Sequence, residues 1–322
     1  MLDIKFEPLS SSITYRDKIL MLGSCFSEEI GTRLQDIKFQ VLQNPNGILY
    51  DPLSICSAIT SWIENKPGNL NDLFLMNELW NSWQHHSRFS GTSKEEVGIN
   101  ISNAVAYAHK FIKEASWLFI TPGTASNYEL MESKLAVANC HKAPAAMFHK
   151  KMLEVSSIVS MFKRTLDQLF SFNPAIHVIF TVSPVRYLKD GLPQNNRSKG
   201  RLIESIHLLC EEYSNVNYFP AYELVIDVLR DHRFYSTDLV HPNAQAADFV
   251  FDQLIDHALS KTDMGILSEI RPLVMARKHR PLHTGTQGYQ QFQKAQLLKA
   301  QALKILYPYI DLSEEIAFFG GD

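Results

Sequence analysis

Lys18-Ile19-Leu20-Met21-Leu22-Gly23-Ser24-Cys25-Phe26 decides the fold: an apolar run stops at a glycine, and a serine then opens a helix-like pattern. An unbroken apolar run suits a strand buried on both faces. Such strands belong to parallel sheets, where each needs a crossover to reach the next. Further compact runs at Ile37–Leu42, Trp117–Thr121, Ile176–Ser183 and Val216–Ala221 repeat the pattern, with helix-like stretches at about 25–35, 52–64, 94–114, 150–171 and 197–213. Runs that alternate in this way predict an α/β architecture around a parallel sheet.

Ligands of an open parallel sheet bind outside the carboxyl ends of its strands. Residues with useful chemistry collect at those ends. Ser24 follows the first run, Asn44 to Gly47 the second, Gly123 and Thr124 the third, and Ser183, Pro184 and Arg186 the fourth. Asp238 and His241 come after the fifth run, beyond a helix-like segment at about 222–231. A serine becomes a useful nucleophile only when a histidine takes its proton and a carboxylate orients that histidine. Ser24 at a helix start would gain from the positive end of the helix, and Asp238 and His241 are spaced to share one face of a turn. Pro242 suits the first turn of the next helix and would put His241 at its mouth. The plainer readings are a helix cap for Ser24 and a surface pair for Asp238 and His241. Cys25 competes as a nucleophile; if Ser24 faces the crevice, Cys25 is expected to face inward.

The 31 basic and 34 acidic residues nearly balance, which argues against a nucleic-acid partner. Met1 to Leu20 alternate charged and apolar positions without a basic head or a long apolar segment, and no other stretch approaches a membrane span. Cysteines 25, 56, 140 and 210 form no C-x-x-C pair or zinc rhythm, as expected of reduced thiols. A soluble cytoplasmic protein without cofactor or metal is the expectation.

Residues 65–93, with Trp80, Trp83, His85 and His86, form an insertion that borders the site, where tryptophans would bind a sugar face or acyl chain or simply pack. Ser126 to Cys140 reads as a hairpin with Glu132-Ser133-Lys134 at its turn, returning Asn139-Cys140-His141 to the sheet edge. The main domain is taken as 1–260. Residues 261–322 form a mainly helical extension packed on it, in which Leu297, Leu298, Ala302, Ile305 and Leu306 make one apolar face. That face would meet the main domain or a second copy of the chain.

Seven segments together resemble the GSCFA-domain family, related to the SGNH/GDSL hydrolases. They are Met21 to Phe26, Asn44 to Gly47, Gly123 to Ala125, Val137 to Lys142, Phe180 to Arg186, Phe219 to Glu223 and Asp238 to Pro242. Ser27 stands where the family's name has alanine. The resemblance implies a three-layer flavodoxin-like fold of SGNH type, with Ser24 as nucleophile and Asp238 and His241 as its partners. It also implies an oxyanion hole that includes Ser24 and the Gly47 amide. The third SGNH block, G-x-N-D, is not matched at Gly123-Thr124-Ala125-Ser126. Asn139 is the first choice for its missing asparagine, ahead of Asn127, with Thr124 as another donor. Thr124, His141 and Arg186 are candidate substrate contacts.

The expected activity is hydrolysis of a small-molecule or glycan ester, an acylated carbohydrate being favoured, through an acyl-Ser24 intermediate. Acyl transfer on the same site is the alternative among enzymes, and a non-catalytic glycan-binding protein is the alternative outside them.

Overall fold

A computed structural model of the chain describes residues 4–321; Met1 to Asp3 and Asp322, at the outer ends of the two expected domains, lie outside the described residues. In chain order the elements are β1 (Lys18–Gly23), α1 (Cys25–Asp36), β2 (Gln40–Gln43), α2 (Pro52–Glu64), β3 (Phe74–Met76), β4 (Leu79–Asn81), α3 (Lys94–Glu114) and β5 (Trp117–Thr121). Next come β6 (Ser126–Leu130), β7 (Ala136–Val137), β8 (Phe148–Met152), α4 (Val155–Phe172), β9 (His177–Phe180), α5 (Leu192–Glu212) and β10 (Val216–Tyr218). A short α6 (Ala221–Glu223) runs on as a π-helix over Leu224–Leu229, and α7 (Ala244–Ala258), α8 (Lys261–Lys278), α9 (Gln287–Leu306) and α10 (Ser313–Gly320) complete the chain.

Five strands pair in the order β10-β9-β5-β1-β2, and every pairing is parallel. Strand residues alternate between two cores. Ile19, Met21, Trp117, Phe119 and Ile179 pack against α1, α7 and the C-terminal helices. Leu20, Leu22, Leu118, Ile120, Val178 and Phe180 pack against α2 to α5. Three layers, α/β/α, result from that alternation. Helix starts follow the local chemistry: Asp51 accepts the Ser54 N–H at 3.0 Å with Pro52 in the first turn, and Ser93 accepts the Glu96 N–H at 3.2 Å.

Several expected boundaries move. Residues 148–152 form β8, which adds a third strand to the β6–β7 hairpin, so the helix expected over 150–171 begins at Val155. Lys38 has φ +72° and turns the chain before β2, which therefore starts at Gln40 rather than Ile37. The runs Ile176–Ser183 and Val216–Ala221 leave the sheet after Phe180 and Tyr218. The fifth crossover helix starts at Leu192, earlier than 197. Pro242 lies before the Asn243 cap of α7, bridged to Tyr235, and not in the helix.

In α9 the anticipated apolar face is rotated outward. Ala300 and Leu303 are buried, whereas Leu298 is 58% and Ile305 83% exposed. Leu297 still packs on the core. No helix among the described residues is long and apolar enough to cross a membrane.

Candidate active site

β1 ends in a backbone only glycine adopts comfortably. Gly23 has φ +139°, and a Cβ there would lie 2.2 Å from the Thr121 carbonyl oxygen. This close passage of β1 beside β5 sets Ser24 at the N-cap position of α1, its N–H donating to the Thr121 carbonyl at 3.0 Å. Its hydroxyl makes no capping bond. Ser24 is 1% exposed, and Oγ has no hydrogen-bond partner among the described residues. The capping explanation for this serine is therefore removed. Cys25 and Phe26 open the first turn of α1, where backbone N–H groups have no acceptor within the helix itself.

Asp238 and His241 form a prebuilt pair. Asp238 Oδ1 accepts the N–H groups of Val240 at 2.9 Å and His241 at 3.0 Å, and Oδ2 binds His241 Nδ1 at 2.6 Å. The two amides and then the imidazole hold the Asp238 carboxyl down at about 2. An ionised carboxylate only accepts, so Nδ1 carries the proton, and in the neutral imidazole Nε2 is the acceptor. Both side chains are about half exposed. The turn is closed by Ser236 N–H on the His241 carbonyl, and by Leu239 at φ +56°. Arg186 braces it: its N–H donates to the Val240 carbonyl at 3.2 Å, and its guanidinium lies over the Tyr235 ring at 5.4 Å.

No hydrogen bond joins His241 to Ser24. The two halves meet through the loops between them. A Cβ on Gly123 would fall 3.8 Å from that of Ser24 and 3.3 Å from the Tyr50 ring, and the Ser183 N–H donates to the Pro122 carbonyl at 3.0 Å.

The remaining expected site residues are engaged elsewhere. Gly47 has φ +83° and its N–H donates to the Asn44 carbonyl at 2.7 Å, so this amide is not free for an oxyanion. Asn44 instead receives the Gly23 N–H on Oδ1 at 2.8 Å and so ties the second loop to the first. Asn139 is turned into the insertion, with its N–H on the Trp83 carbonyl and its Oδ1 receiving the His141 N–H at 2.8 Å. Asn127 is buried in β6, its Oδ1 without a partner among the described residues. Thr124 Oγ1 lies 3.1 Å from Ser198 Oγ and receives the Ser126 N–H. His141 Nε2 donates to the Ser82 carbonyl at 2.7 Å, and its buried Nδ1 has no partner among the described residues; burial lowers its pKa.

Trp83 is 8% exposed, stacked on Phe74 at 3.7 Å and edged by His141 and Phe148, so it offers no face to a ligand. Trp80 carries Lys94 over its ring. Among the described residues no three His, Cys, Asp or Glu side chains converge as metal ligands. Cys25 is more exposed than Ser24, contrary to the inward orientation expected of it, and burial still raises its thiol pKa.

Two residues at this edge escape the sequence reading. Tyr50 borders Ser24 from the loop before α2, without any motif to mark it. Lys199 lies beneath the loops of β5 and β9, and its signal was present: with Leu202, Ile206 and Leu209 it occupies the apolar stripe of α5.

Fold and site define a three-layer α/β protein with a free serine at the first strand–helix turn and an Asp–His pair at the same sheet edge. The chain belongs to the GSCFA family: the model described as GSCFA family matches residues 18–254, and that described as GSCFA domain protein, C-terminal domain, matches residues 270–320. No curated protein matches the chain.

Proposed function

We propose that the protein is a serine hydrolase of SGNH type, cleaving an ester through an acyl-Ser24 intermediate. One observation carries the reading: Ser24 Oγ is buried at the positive end of α1, unpaired and free of a capping role. Leaving a buried hydroxyl unpaired costs about 1–3 kcal/mol, a penalty expected where the group awaits a reaction partner.

In this reading His241 Nε2 takes the Oγ proton as Oγ attacks the ester carbonyl. The alcohol leaves with that proton, and a water activated by the same nitrogen releases the acid. Asp238 holds the imidazole tautomer that this requires. Since Ser24 and His241 are not hydrogen-bonded, the 236–241 turn closes on Ser24 when substrate enters; hydrogen bonds of this kind commonly tighten only in the complex. In this reading the amides of Cys25 and Phe26, in the first turn of α1, receive the developing oxyanion. Gly47 joins them only if its bond to Asn44 opens, and Asn139 only through its amide nitrogen.

The buried Trp83 withdraws the support that the tryptophans lent to an acylated carbohydrate, so the substrate class rests at an ester. Acyl transfer uses the same atoms, with an acceptor hydroxyl in place of water. One observation favours a non-catalytic binding protein instead: the Ser24 and Gly47 amides, both assigned to the oxyanion, are already satisfied.

A panel of acyl esters given to wild type and Ser24→Ala separates these readings. Hydrolysis reduced about 10⁴-fold or more by the substitution supports the hydrolase. A glycan bound equally by both proteins and cleaved by neither supports the binding protein.

A further inference from the structure

Lys199 is 1% exposed, and among the described residues no carboxylate pairs with it. Its Nζ donates to the Gly123 carbonyl at 2.7 Å and the Ser183 carbonyl at 2.5 Å, and lies 5.9 Å from the Tyr222 ring. A cation buried without a carboxylate is expensive, and a well-packed apolar side chain would fill the same volume at lower cost. Burial pulls its pKa down to about 7. Such a residue is retained for something other than stability.

Its two carbonyl partners belong to the two loops that separate the halves of the site. Gly123 sits beside Ser24, while the Ser183 segment runs on to Arg186, which holds the Val240 carbonyl of the Asp238–His241 turn. From α5, the neighbouring Ser198 grips the first loop again, receiving the Ala125 N–H at 2.7 Å.

We infer that Lys199 is a positioning residue: by bonding the Gly123 and Ser183 carbonyls at once, it fixes the distance between Ser24 and the acid–histidine turn. The inference rests on the proposed function for its catalytic consequence, but the tie between the loops stands apart from it. Lys199 touches backbone at both ends and acts through those loops.

Backbone hydrogen exchange and covalent labelling of Ser24 by a small fluorophosphonate test this in wild type, Lys199→Met and Lys199→Gln. The expected result is faster exchange in the 122–126 and 183–187 segments together, with β1 and β9 unchanged. With it, the maximal labelling rate falls about tenfold or more, while the fluorophosphonate concentration giving half that rate stays the same, because misplacement of reacting groups acts on the chemical step. Exchange that is unchanged in both loops overturns the inference. So does acceleration spread evenly over the sheet, or in only one loop, since the residue then serves the fold or a single loop. If wild type itself is not labelled, the serine-hydrolase reading fails while the exchange pattern still decides whether Lys199 couples the loops.

Discussion

Gly23 shows how closely single residues are constrained at this edge. A methyl at that position would sit 2.2 Å from the Thr121 oxygen on a backbone of φ +139°. Gly23→Ala is expected to lower stability by about 3 kcal/mol or more, read by urea unfolding. Lys199 makes a pH prediction. Its folded pKa of about 7 lies below the ordinary lysine value of 10.5, so between them the unfolded chain binds more protons and stability rises with pH. The thermal midpoint of wild type relative to Lys199→Met is expected to climb across that window and level off above it. Asp238 works at the opposite end: its folded pKa is about 2 against 3.8, so its stabilising contribution is fully present above 3.8 and is lost as pH falls through 2. The carboxyl carbon resonance of Asp238 should titrate near 2 in wild type and move upward in His241→Ala. The Asp238–His241 turn was legible in the sequence because a three-residue spacing expresses a local chemical need, and Ser24 at the start of α1 because an apolar run ends just before it. The engaged Gly47 amide and the inward Asn139 were not, since the partners that hold them, Asn44 and Trp83, are set by the course of the loops.

Among the elements, α2, α3 and β5 match the sequence reading to the residue, because each is bounded by a clear cap, turn or apolar run. β8 was missed. Phe148, Lys150 and Met152 alternate with His149 and Lys151, a period of two hidden by the lysines and by the absence of a buried face of its own. The hairpin built on β6 binds the 65–93 insertion through Trp83, which lies among Phe74, His141 and Phe148. Trp83→Ala is expected to cost about 3–5 kcal/mol and to open the insertion to limited proteolysis, with the parallel sheet retained. Intact resistance to proteolysis would show that the insertion is held by other contacts.

Across the whole molecule, the last helix is locked to the first crossover. Glu315 of α10 is fully buried, 2.9 Å from both Lys38, in the turn before β2, and Arg277 of α8. The more exposed Glu314 also meets both cations, so Glu315→Ala leaves them one carboxylate and should destabilise the fold by about 3 kcal/mol in thermal or urea unfolding. The amphipathic period of the C-terminal helices was legible in the sequence, but which face they bury depends on this docking. That is why Leu298 and Ile305 emerge exposed. The same long-range assembly brings Ser24, near one end of the chain, to the edge that carries Asp238 and His241, near the other. The most direct test of that convergence is the intact mass of wild type, Cys25→Ala, His241→Ala and Ser24→Ala after exposure to a small fluorophosphonate. The account predicts one adduct on wild type and on Cys25→Ala, slower labelling of His241→Ala and none of Ser24→Ala. An adduct that survives in Ser24→Ala, or a wild type that never reacts, would contradict it.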